Sequence, residues 1–239
     1  MTRNIDVGTV VDKVFKTYQQ YFAVLVSIAA ILFIIEAVVR LIAGDSAVLG
    51  LVATIVGLIV SQLYTGMVVE VVNDTRDGRL DASIGGLFNK VTPVLLTLIG
   101  AAIVTGIAIT VGLIACIIPG IILLTLWAVV APAVVIERLG VFDAMSRSWN
   151  LVKTNFWQTL GVIVVFWIIT FVITGLIGFI FRDSSLVVAV VVAWIVHFLL
   201  APLSALASSI LFFELRGVES GAPEPPSAGP TSTWGPETP

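Results

Sequence analysis

The chain has one cysteine, Cys116, and one histidine, His197. A single thiol forbids an intramolecular disulfide, and so poor a set of soft ligands leaves nothing from which to build a zinc site. Charge is scarce as well: only 11% of the 239 residues are Asp, Glu, Lys or Arg, against about 25% in a soluble domain. Twelve Lys and Arg face fifteen Asp and Glu, and setting aside Glu219, Glu224 and Glu237 near the carboxyl end leaves twelve of each. That balance does not suit a phosphate backbone, so nucleic acid is not an expected partner. The sequence carries no catalytic motif, and neither an enzymatic activity nor a cofactor nor a metal is expected.

Apolar side chains fill the place of the missing charge. They make up 59% of the residues and give a mean hydropathy of +1.13. A single core of this length cannot hide so much apolar surface, so the expected solvent is a bilayer. A stretch of about 20 apolar residues crosses the ~30 Å hydrocarbon layer as a helix. Six such stretches occur, at about 21–42, 48–72, 91–116, 121–136, 156–181 and 186–213. Asp6 and Asp12 interrupt the start of the chain, which argues against a cleaved signal. The fold expected is an all-α integral membrane protein with six transmembrane helices. Only Pro119-Gly120 punctuates the third and fourth stretches, and the pair reads as a tight hairpin turn over Ile117 to Gly120.

Lys and Arg accumulate in cytoplasmic segments. With six spans and an internal amino terminus, ten of the twelve fall inside, and only Arg40 and Arg182 fall outside. The expected location is therefore the cell membrane, multi-pass, with both chain ends cytoplasmic. The residues after 216 hold six of the ten prolines and read as a disordered Pro-rich cytoplasmic tail, 217–239.

Helical periodicity adds a second layer to the topology. Val7, Val10, Val11, Val14 and Tyr18 share one helical face, as do Leu80, Ile84, Leu87, Phe88 and Val91, and again Phe142, Met145, Trp149 and Val152. Each of these amphipathic helices lies on the proposed cytoplasmic side and precedes a pair of spans. The odd-numbered spans begin near 21, 91 and 156, which suggests a threefold repeat of amphipathic helix and helical hairpin.

Ionisable and polar groups at membrane depth are costly and so become candidate sites. Glu36 and Arg40 are spaced one turn apart, where they can neutralise each other. His197 lies in a seam of small residues with Ala189, Ala193, Ala201, Ala205 and Ser209, and Gln62 in the second span is its candidate partner. The pair reads either as packing or as a proton or ligand contact. Glu70, Glu137 and Glu214 end the even-numbered spans and read either as an inner polar ring or as markers of helix ends.

Ile118-Pro119-Gly120-Ile121, Trp127 to Pro132, Val135-Ile136-Glu137, Ala144-Met145-Ser146-Arg147-Ser148-Trp149 and Asn155-Phe156-Trp157 form a recurrent signature. The pattern resembles the membrane domain attached to some bacterial glycerophosphoryl diester phosphodiesterases, a six-span module that also occurs alone. Related uncharacterised six-span families share its Pro-Gly and Arg-Ser-Trp segments. The likeness covers roughly residues 4 to 216. It implies a fold and a bacterial cytoplasmic-membrane location but no hydrolase activity, which belongs to a separate soluble domain.

The function expected is that of a non-catalytic membrane protein that scaffolds, assists or regulates membrane or envelope components. Its expected partners are membrane lipids, with another membrane protein or a second copy beside them. The alternative is a lipid or small-molecule transporter with a site at the repeat interface near Gln62 and His197. A headgroup-surface enzyme using Glu137 and Arg147 ranks third.

Overall fold

The computed structural model describes residues 5–44, 46–77, 80–182 and 186–220; the proposed tail beyond 220 lies outside the described residues. The described chain is helical, without strands. Six helical stretches are long and apolar enough to cross a membrane, which makes this an all-α, multi-pass membrane protein.

Three units follow one another. The first comprises α1 (Val7–Gln20), α2 (Phe22–Ala43) and α3 (Ala47–Asp74). The second has α4 (Ile84–Val91), α5 (Leu95–Ala115), α6 (Ile117–Leu126) and α7 (Val130–Glu137), and the third has α8 (Val141–Val152), α9 (Phe156–Ile180) and α10 (Leu186–Ser220). Helices α1, α4 and α8 are the three amphipathic elements. Each enters the following long helix through a short joint: Tyr21, the 3₁₀ turn Thr92–Val94, and the 3₁₀ turn Lys153–Asn155. Side-chain caps mark the starts of α1 and α4. The Asp6 carboxylate accepts from the Thr9 amide and hydroxyl, which hold it below the usual carboxylate range, and Ser83 Oγ accepts from the Gly86 amide.

The units close into a ring. Helix α4 packs on α3, α8 on α7, and α1 on α10, so each amphipathic helix sits on the last span of the preceding unit and the first closes onto the third. The same order recurs among the long helices, where α5 packs on α3, α9 on α6, and α2 on α10. Helices α3, α7 and α10 touch one another at the centre, and their buried residues lie close to the amphipathic layer: Val68, Val69 and Val71; Ala133, Val134 and Val135; Leu206, Leu211 and Leu215. This end of the molecule is called the platform below.

The structure moves the hairpin turn of the second unit. Cys116 alone is extended (φ −168°, ψ 140°) between α5 and α6, while Pro119 and Gly120 lie inside the first turns of α6. Proline is tolerated there because the first amides of a helix have no intrahelical acceptor. Gly120 serves packing: its Cα approaches Gly112, and a Cβ on it would overlap Leu113. Two glycines thus let α5 and α6 meet backbone to backbone.

The fourth span is broken at Trp127–Val129, between α6 and α7. Pro132 has no amide to continue the ladder through the break. Ser148 of α8, fully buried, repairs it: its Oγ donates to the Leu126 carbonyl at 2.8 Å and accepts from the Val129 amide at 3.3 Å. Pro202 lies inside α10, which stays continuous, and Tyr18 Oη of α1 donates to the nearby Leu199 carbonyl at 3.0 Å. Side chains of neighbouring helices thus bond to backbone groups next to both prolines.

Candidate functional site

Each platform acid meets a cation delivered by an amphipathic helix. Lys13 Nζ of α1 lies 2.7 Å from Glu214 Oε1 of α10, across 201 residues of sequence. Lys90 of α4 lies 3.7 Å from Glu70 and 3.4 Å from Asp74, both on α3. Arg147 of α8 donates from Nε and Nη2 to the two oxygens of Glu137 at 2.8 and 3.1 Å. The three pairs repeat the cyclic order of the helix packing. Glu70, Glu137 and Glu214 therefore belong to one ring, each joined to an amphipathic helix of the next unit.

The ring is reinforced at two points. Arg138 adopts a left-handed backbone conformation (φ 54°, ψ 35°) directly after α7, an unusual state for a side chain with a Cβ. From there it donates to the Lys90 carbonyl at 2.9 Å and approaches the buried Glu70 to 3.6 Å. Arg147 also forks onto Glu219 at 2.7 and 2.8 Å, and Arg216 stands 3.5 Å from Glu137. Glu219 lies in a part of α10 that composition had assigned to the tail. The helix continues to Ser220, and the bidentate pair anchors its end. With both faces of its guanidinium fork engaged by carboxylates, Arg147 is a structural clamp, and the Glu137–Arg147 pair is held within the chain.

Glu36 and Arg40 do form a pair: Arg40 Nε donates to Glu36 Oε1 at 2.8 Å. Gly57 on α3 makes room for it, since a Cβ there would stand 2.9 Å from the Glu36 oxygen. The Glu36 carboxylate is largely covered while Arg40 is half exposed, so the arginine can reach toward a polar interface. Gln62 is half-buried on α3, and its side chain makes no hydrogen bond among the described residues. His197 falls within α10, but its side chain lies outside the described residues.

Sequence reasoning missed four features. Tyr64 and Thr159 carry buried hydroxyls without a partner among the described residues; Tyr64 packs on Phe33 at 5.4 Å, and nothing in the spacing singled either out. Ser148 carries the repair of the broken span, and its place in the Arg-Ser-Trp segment was the available signal. In α8 the face expected from periodicity is split: Phe142 is 74% and Trp149 43% exposed, whereas Met145 packs half-buried on the core and Val152 is buried with Ala144, Ser148 and Leu151. Ala144 and Ser148 are small where α8 meets the break, and Phe142 and Trp149 are left exposed.

The fourth missed feature is a pair of adjoining apolar cavities. One, of about 680 Å³, lies between α9 and α10; the other, of about 310 Å³, continues from it toward the break at Trp127 and is also bounded by α5 and α6. Trp167 and Ser204 line both. Among the described residues no group of three or more His, Cys, Asp or Glu is placed to hold a metal ion.

The fold and the platform define a multi-pass helical membrane protein built on a cyclic ion-paired scaffold. No family model, curated protein or solved structure matches the chain.

Proposed function

We propose that this is a non-catalytic membrane protein that scaffolds or regulates other membrane or envelope components, with the platform as its contact surface. One observation carries the reading. Glu70, Glu137 and Glu214 are each engaged by Lys or Arg of the same chain, so these groups hold the three units in register. A surface fixed in this way includes α1, α4 and α8, each held on the last span of the preceding unit. Phe142 and Trp149 stand exposed on α8, and Phe88 on α4.

The same reading places the platform in the cytoplasm and the protein in the bacterial cytoplasmic membrane. Its support is the concentration of Lys and Arg in the segments on that side, together with the resemblance of the central segments to the six-span module described above. Photo-crosslinking residues introduced at Asn89 and Trp149 test the function in living cells. The expected result is one protein partner captured from both positions. The reading fails if the purified chain, reconstituted in vesicles, instead speeds the exchange of labelled lipid between leaflets well above protein-free vesicles.

A further inference from the structure

We propose that the crevice between α9 and α10 binds one acyl chain of a membrane phospholipid, a role beyond the platform reading and independent of it. The two adjoining cavities have volumes of about 680 and 310 Å³, within the roughly 300–1,000 Å³ range of small-molecule sites. Their walls are mainly apolar, with Trp167, Phe171, Val196 and Leu200 at the wider part and Trp127 and Leu211 at the deeper part.

Length and position select the occupant. Along α9 the lining runs from Thr174 to Val162, which at 1.5 Å per residue is about 18 Å. One leaflet of hydrocarbon is about 15 Å deep, so a chain lying along the helix fills the crevice end to end. The crevice is continuous with the outward face of α9, where Trp167, Phe171 and Val172 are exposed at membrane depth. The molecules that cover that face are therefore lipids.

Polar chemistry orients the chain. Thr54, Thr65, Thr105 and Thr125 turn their hydroxyls back onto the carbonyl four residues earlier, as threonines in membrane helices commonly do. Thr97, Thr110, Thr159, Thr170 and Thr174 make no such bond among the described residues, and of these Thr170 and Thr174, one turn apart, line the wider wall. A donor left unpaired in hydrocarbon is costly. An ester carbonyl of the lipid accepts from these hydroxyls, and the acyl chain then runs past Ser204 toward the broken span.

The test uses the full chain in vesicles of phosphatidylethanolamine and phosphatidylglycerol doped with a phospholipid bearing a photoreactive acyl chain. After irradiation, labels are expected to be enriched at Leu200, Ser204 and Leu211 over open lipid-facing residues such as Ile34 and Ile107. Native mass spectrometry of the detergent-purified protein is expected to show one retained phospholipid. Ser204→Phe and Thr170→Phe, which fill the crevice from partly exposed positions, are expected to lower that occupancy at least tenfold. Val172→Phe, outside the lining, should retain it. Labels that merely follow exposure, or equal retention by Ser204→Phe and the parent, would overturn the proposal, as would a retained species other than a phospholipid.

Discussion

Along α9, Thr159, Val162 and Phe166 are buried near the platform, whereas Phe171, Val172, Leu176 and Phe179 farther along the same helix are exposed. Helix α2 shows the same division between Leu25, Ile28 and Leu32 on one side and Ile35, Leu41 and Ile42 on the other. The apolar character hardly changes along either helix, so hydrophobicity alone does not set where they pack. The ends do. Near the platform, three ion pairs, the Ser148 bonds at the broken fourth span and the Tyr18–Leu199 bond fix the helices against one another. The far half has no cyclic set of cross-unit bonds among the described residues, and the bilayer serves there as the neighbour. In a membrane, helix association rests on close packing and polar contacts, because lipid solvates apolar faces as well as protein does.

The largest disturbance expected is the one that forces the second hairpin apart. Gly120→Val would drive a branched side chain into Leu113 and is expected to cost about 3 kcal/mol by overpacking, read as a lower midpoint in reversible detergent denaturation. Arg147→Ala removes the fork that holds Glu137 and Glu219. Its expected cost is about 2 kcal/mol, tempered because the site is partly solvated, and hydrogen exchange should rise in α8 and at the end of α10 before it rises in α2.

Ser148→Ala leaves the Leu126 carbonyl and Val129 amide without their side-chain partner and should cost about 1.5 kcal/mol. Its diagnostic is faster exchange confined to the break between α6 and α7. The smallest effect is expected from Lys16→Ala, because its pair with Asp12 is exposed on both sides. A change within about 0.3 kcal/mol is expected. Equal losses from Lys16→Ala and Arg147→Ala would erase the distinction between exposed pairing and ring closure.

The six spans were legible because hydropathy over about 20 residues is a strong signal, and the amphipathic helices were legible from their 3.6-residue periodicity. Glu70, Glu137 and Glu214 could be singled out by their positions at span ends. Their partners could not be read so easily, because the ring joins units distant in sequence, as in Lys13 with Glu214. The Pro119-Gly120 turn was displaced because proline at a helix start and glycine at a close approach leave the same mark as a reverse turn. The break at Trp127–Val129 was hidden within a uniformly apolar segment, and its evidence, Pro132 with Ser148, lies on two different helices. The crevice was invisible because it arises from the divergence of α9 and α10 and not from any local motif. Glu36 with Arg40 was readable in full, since both partners sit one turn apart on one helix.

The threefold arrangement is tested most directly by asking whether its three amphipathic helices face the same compartment. In a Cys116→Ala background, single cysteines placed at the exposed positions Asp12, Asn89 and Asn150 would be treated with a membrane-impermeant thiol reagent in sealed vesicles of defined orientation. All three are expected to react in inside-out vesicles and to be protected in right-side-out vesicles. If any one of them reacts from the side opposite to the other two, the ring of α1, α4 and α8 is contradicted.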